Sequence, residues 1–93
     1  MFRAHITELP GGSTLKLEGR MVGHWANEAK ALLSKHDQVP KGLIVDLSDV
    51  SYIDTLGEQV LLWFASIGAL FKSRSLYPAL VCERLQLPLQ ESS

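Results

Sequence analysis

Four carboxylates lie close together in the middle of the chain: Asp46, Asp49, Asp54 and Glu58. Paired carboxylates can move protons in acid–base catalysis or hold a hard cation such as Ca2+ or Mg2+. The neighbours argue for simpler work. Asp49 and Asp54 stand among Ser48, Ser51 and Thr55, a composition that forms turns and helix caps without any ligand. His5, His24 and His36 fall in separate segments, none close in sequence to Cys82 or to a serine in a nucleophile-elbow setting. His36, near the end of a helical pattern, is explained by attraction to the terminal carbonyls. No cysteine–histidine spacing resembles a zinc site. Gly11-Gly12-Ser13 lacks the lysine and the spacing of a phosphate-binding loop. No cofactor and no metal are expected, and the chain reads as a non-enzyme. An enzyme built on Asp46, Asp49 and Asp54 is the remote alternative.

These residues must be positioned by the elements around them. Leu43, Ile44, Val45 and Leu47 form a β-branched-rich run suited to a strand buried on both faces. Asp46, Ser48, Asp49 and Ser51 then supply loop chemistry, and Asp54 or Thr55 offers an N-cap for a helix. A strand, a short acidic loop and a helix N-terminus in succession place a recognition site at the strand's carboxyl end.

Upstream, Phe2 to Leu9 alternates loosely and ends at Pro10-Gly11-Gly12-Ser13, a turn signal, and Thr14 to Gly19 alternates again, so the two predict a hairpin. From Val22 or Gly23 to His36 the spacing turns helical, with Trp25, Ala29, Leu32, Leu33 and His36 on one face. Gln38 to Gly42 breaks that helix. A second helix is expected from about Gly57 to Lys72, and Tyr77 to Glu83 reads as another strand. Residues 1–84 then make one domain and 85–93 a short, loosely ordered tail. The order strand–strand–helix–strand–helix–strand implies an α/β fold, a small mixed β-sheet with helices packed on it.

The second helix is too apolar for one face. Val60, Trp63, Phe64, Ile67, Leu70 and Phe71 make a stripe directed at the sheet, while Glu58, Leu62, Ala65, Ala69 and Lys72 lie opposite. Either a crowded small domain tolerates Ala and one Leu outside, or this is a docking face for a partner or a second copy.

Composition bounds the rest. Ninety-three residues with 46% hydrophobic content and a formal charge of −1 form one small globular domain. Scattered Lys and Arg give no footprint for nucleic acid. Cys82 stands alone and cannot form an internal disulfide, which suits a reducing cytosol. Met1 to His5 is too short and polar for a secretory leader. The longest apolar stretch, Val60 to Phe71, falls short of the roughly 20 residues that span a bilayer. A soluble, cytoplasmic protein without membrane insertion is expected.

The segment Leu43-Ile-Val-Asp-Leu-Ser-Asp-Val-Ser-Tyr-Ile-Asp-Thr-Leu-Gly-Glu-Gln-Val-Leu-Leu-Trp63 resembles the central motif of STAS domains, the family of bacterial anti-sigma factor antagonists and of sulphate-transporter cytoplasmic tails. The pattern is an apolar strand, Asp-Leu-Ser, a spacer, then Asp-Ser-Ser-Gly opening a helix. Asp46, Leu47, Ser48, Val50, Ile53, Asp54 and Gly57 match it in place, and a looser likeness runs from about Phe2 to Cys82. The resemblance implies a STAS-like fold, here abbreviated at the C-terminus, with an edge or core patch left open to self-association. It also implies a regulatory module that docks a serine kinase-type anti-sigma factor. The alternative it implies is a structural subunit of a membrane-associated transport complex, such as a lipid-transport ATPase. The docking residues would be Asp54, Thr55, Leu56, Gly57, Glu58, Gln59, Leu62, Ala65, Ser66 and Ala69. Leu56 stands where the regulatory members carry the phosphorylated serine. Thr55 matches the other serine of the motif and is either a modification site or a first-turn residue.

Overall fold

The computed structural model describes residues 2–34 and 42–90 of the chain. Strand β1 (Phe2–Leu9) turns through Pro10 and Gly11 into β2 (Gly12–Met21), and the two pair antiparallel from Phe2↔Gly19 to Leu9↔Gly12. Helix α1 (His24–Ser34) follows, then β3 (Leu43–Ile53), helix α2 (Thr55–Ser66), the short β4 (Leu70–Lys72) and helix α3 (Leu76–Arg84). The sheet order is β1-β2-β3-β4, with β3 parallel to β2 and β4 parallel to β3. The fold is therefore a small α/β domain with helices packed on a mixed sheet, as the pattern implied; the sheet has four strands and carries three helices where the pattern implied two. Among the described residues no helix is long and apolar enough to cross a membrane.

One face of the sheet holds the core. Leu15, Leu17 and Met21 of β2 and Leu43, Val45, Leu47, Val50 and Ile53 of β3 are all buried beneath the helices. Phe64 of α2, Phe71 of β4, and Pro78 and Cys82 of α3 complete it, each excluded from water. Burial of each large apolar side chain is worth about 1.5–3 kcal/mol. The other face is polar: Thr14, Lys16 and Glu18 alternate with the core residues of β2, and Asp46 with those of β3. Lys16 meets Asp49 at 3.2 Å and Lys72 meets Asp46 at 4.0 Å across this surface.

Four elements differ from the sequence reading. The stretch Asp46–Ser51 is not a loop but part of β3. Its register against β2 jumps between Lys16↔Asp46 and Glu18↔Asp49, and again between Gly19↔Val50 and Arg20↔Tyr52. Each jump leaves one extra residue on β3, a bulge, so polar residues are absorbed without ending the strand.

Helix α2 stops at Ser66 rather than Lys72. Gly68 adopts φ +92°, Gly68 N–H donates to the Ala65 carbonyl and Ala69 N–H to that of Phe64, a left-handed glycine C-cap. The chain then reverses, and Leu70 and Phe71 belong to β4, not to the α2 stripe.

Tyr77–Glu83, read as a strand, is helix α3. Ser75 is its N-cap and Pro78 sits in its first turn, where no intrahelical N–H bond is lost. In α1 the buried line is Ala26, Ala29 and Leu33, while Trp25 remains 44% exposed. The two alanines let the helix approach the sheet closely and displace the bulky indole to its flank. His36 lies outside the described residues.

After α3 the chain returns to the sheet: Leu87 is buried, and Leu89 bridges to Phe71.

Candidate functional site

The junction of β3 and α2 is organised by one carboxylate. Asp54, in extended conformation, is the N-cap of α2: its Oδ1 accepts the Gly57 N–H at 2.8 Å. Its Oδ2 accepts the Gly23 N–H at 2.9 Å, immediately before α1. Asp54 N–H also donates to the Met21 carbonyl. A single side chain thus ties together the starts of both helices at the carboxyl ends of the two central parallel strands. The hydrogen bond from Gly57 N–H, chiefly, holds the Asp54 carboxyl below its usual value of 3.8; partial burial opposes this and the Gly23 N–H adds to it.

Gly57 is the second fixed point. A Cβ there would lie 2.5 Å from the Met21 carbonyl oxygen and 2.9 Å from Ile53 Cγ2. Only glycine lets the first turn of α2 press on the end of β2. At the far side, Tyr77 of α3 closes the end of β3: its hydroxyl accepts the Ile53 N–H at 2.9 Å and donates to the Ile53 carbonyl at 3.2 Å. Tyr77 stacks on Tyr52, whose ring in turn lies under the Arg20 guanidinium.

The sequence-derived docking residues divide on this frame. Thr55, Leu56, Gln59, Leu62 and Ser66 are exposed on the outside of α2, with Leu56 and Leu62 each 45% exposed. Glu58 is half-buried and paired with Arg84 of α3. Ala65 is half-buried. Gly57 and Ala69 are buried, and Asp54 spends its carboxylate on two backbone amides, so these three shape the surface of α2 without presenting side chains on it.

The sequence reading missed the flank of that surface. Leu56, Gln59, Val60 and Trp63 line a shallow groove with Asn27 and Lys30 of α1, and the Lys30 ammonium sits 5.0 Å from the centre of the Trp63 ring. Periodicity places Trp63 on the sheet side; its half-burial in the α1–α2 groove depends on where α1 lies, which periodicity does not carry.

The four clustered carboxylates do not form one site: Asp46 and Asp49 line a common hollow with Lys16, Ser48, Arg74 and Ser75, and neither Asp54 nor Glu58 lines it. Asp46 accepts the Ser48 N–H and faces Lys72, Asp49 faces Lys16, Asp54 caps helices and Glu58 pairs with Arg84. Among the described residues no three of His, Cys, Asp and Glu are grouped to hold a metal ion. Cys82 is wholly buried, and that burial pushes its thiol up to about 11. Compared with known proteins, the chain matches no family model and no curated protein.

Proposed function

We propose that this protein is a non-catalytic interaction module that docks a protein partner through the outer face of α2. The observation that carries this reading is Leu62, exposed on the outer face of a helix whose first turn is fixed by Asp54 and Gly57, with Leu56 exposed on the flank of the same helix toward α1. A rigid helix start with apolar side chains facing water is a pre-organised docking surface, which lowers the ordering cost of binding. The STAS resemblance of residues 43–63 supports a regulatory role in the manner of an anti-sigma factor antagonist. The module would occupy a serine kinase-type partner in the bacterial cytoplasm and release what that partner holds.

Leu56 has no hydroxyl, so a phosphate cannot break the contact at that position. Thr55 is exposed at the helix start. Free amides there favour an anion, while Asp54 and Glu58 beside it oppose one.

The same leucine gives specific support to a second reading, a STAS-like structural subunit of a membrane-associated transport complex, which needs no phosphorylation switch. Affinity capture from the native lysate, with Leu62→Glu in parallel, separates the two. A serine kinase-type protein recovered by wild type and lost with Leu62→Glu supports the first reading. Transporter subunits recovered in the same way support the second. Capture indifferent to Leu62→Glu contradicts docking through α2 in either form.

A further inference from the structure

The first bulge of β3 changes what the polar face of the sheet displays. Lys16 and Glu18 of β2 are two residues apart and share that face. Their partners on β3 are Asp46 and Asp49, which are three apart. Regular alternation would turn Asp49 toward the core. The extra residue re-aims it onto the polar face beside Asp46, and re-aiming a side chain is what bulges next to functional sites do.

This bulge lies where β4 stops. Strand β4 pairs with β3 only at Ile44, Val45 and Asp46, and the chain after Lys72 covers the next stretch of edge with side-chain bonds. Arg74 N–H donates to Ser48 Oγ at 3.0 Å, and Ser75 Oγ donates to the Ser48 carbonyl at 2.6 Å. Within the turn, Ser73 Oγ accepts the Ser75 N–H at 3.0 Å and donates to the Ser75 carbonyl at 2.8 Å. Turn and bulge enclose the hollow lined by Lys16, Asp46, Ser48, Asp49, Arg74 and Ser75, with a volume of about 260 Å³. Pockets for drug-sized ligands run from about 300 to 1,000 Å³, so this one suits a smaller solute.

Its charges are of both signs and incompletely matched. The Asp46 side chain, 15% exposed, accepts the Ser48 N–H at 3.0 Å and faces Lys72 at 4.0 Å. Asp49 meets Lys16 through Oδ2 at 3.2 Å and remains 56% exposed, so it can take a second donor. Lys16 and Lys72 each have a carboxylate, whereas the Arg74 guanidinium has none among the described residues. A bare anion drawn to Arg74 is repelled by Asp46 and Asp49. A bare cation drawn to those two is repelled by Lys16, Lys72 and Arg74. A solute carrying both charges meets neither objection.

We propose that this hollow binds a free amino acid as its zwitterion, the carboxylate on the Arg74 guanidinium and the ammonium on Asp49. The planar guanidinium fork matches a carboxylate with two parallel hydrogen bonds. The hollow lies on the polar face of the sheet, away from the helices, so this claim does not depend on docking through α2.

Nitrogen-15 NMR of the full chain, titrated with each common amino acid and with γ-aminobutyrate to about 20 mM, detects affinities as weak as millimolar. Acetate and methylammonium serve as the two half-ligands. At least one amino acid should shift the amide resonances of Ser48, Asp49, Arg74 and Ser75 saturably, and both half-ligands should bind at least tenfold more weakly. Arg74→Gln removes an exposed side chain without a carboxylate partner, so the spectrum should stay folded while the amino acid binds at least tenfold more weakly. Asp49→Asn should weaken the amino acid and not acetate. No saturable shift with any amino acid would overturn the proposal. So would acetate binding as tightly as the amino acid, which makes the hollow a plain anion site, or binding indifferent to Arg74→Gln.

Discussion

Replacing Asp54 by alanine removes the clamp on which the α2 surface stands. Two charge-assisted hydrogen bonds disappear, to Gly57 N–H at 2.8 Å and to Gly23 N–H at 2.9 Å. Loss of an N-cap costs about 0.5–2 kcal/mol, and loss of a second hydrogen bond to a charged acceptor about 1.5–3 kcal/mol. Because water reaches this site in part, the low halves of both ranges apply, and about 2–3.5 kcal/mol in total is expected. A domain of this size has roughly 5–14 kcal/mol of stability at about 0.05–0.15 kcal/mol per residue, so the loss is large. Urea unfolding followed by the fluorescence of Trp25 and Trp63 measures it directly. Asp54→Asn keeps one acceptor oxygen and should lose about half as much.

The pH dependence separates the two variants. The Asp54 carboxyl titrates below its usual 3.8 in the folded chain. Its contribution is therefore fully present above about pH 5 and is lost as pH falls through the folded value. Wild type should lose stability toward pH 2 faster than Asp54→Asn, which has nothing to protonate there. A loss under about 0.5 kcal/mol for Asp54→Ala, or identical pH slopes for wild type and Asp54→Asn, would refute the clamp.

Other perturbations test the same frame. Gly57→Ala places a methyl 2.5 Å from the Met21 carbonyl oxygen, a backbone atom that cannot rotate away; about 2 kcal/mol or more should be lost, readable as a fall in Tm of roughly 8–16 °C. Tyr77→Phe deletes both hydrogen bonds to Ile53 and should cost about 1–2 kcal/mol while leaving the far-UV circular dichroism unchanged. Cys82, buried with its thiol raised to about 11, should resist a thiol reagent at pH 8 in the folded chain and react at once in denaturant.

Much of the fold was legible because its signals are local. The hairpin at Pro10–Gly12, the buried strand from Leu43 and the cap at Asp54 each follow from a few adjacent residues. The errors arose where a local pattern was overridden from elsewhere. The polar run Asp46–Ser51 reads as a loop, yet two bulges keep it in register with β2. Gly68 interrupts an apolar run without ending its periodicity, so the pattern runs on past the true end of α2 and hides β4 within it. Tyr77–Glu83 is rich enough in apolar residues to pass for a strand; the Ser75 cap and first-turn Pro78 were the available helix signals. At the site, the exposure of Leu62 is accessible from helical spacing, whereas spacing groups Leu56 with Val60 and Trp63 and does not reveal its exposure. The second hydrogen bond of Asp54, to Gly23 at a separation of 31 residues, is not accessible either, because it depends on the parallel pairing of β2 and β3.

If α2 meets the partner, the exposed leucines elsewhere on the molecule must be dispensable for binding. Helix α3 also exposes leucines, with Leu80 51% accessible, and provides the control. Titration calorimetry of the captured partner against wild type, Leu62→Glu and Leu80→Glu decides between them. Leu62→Glu should weaken binding at least thirtyfold, about 2 kcal/mol, and Leu80→Glu should stay within twofold of wild type. The reverse order would contradict docking through α2 and move the docking surface to α3.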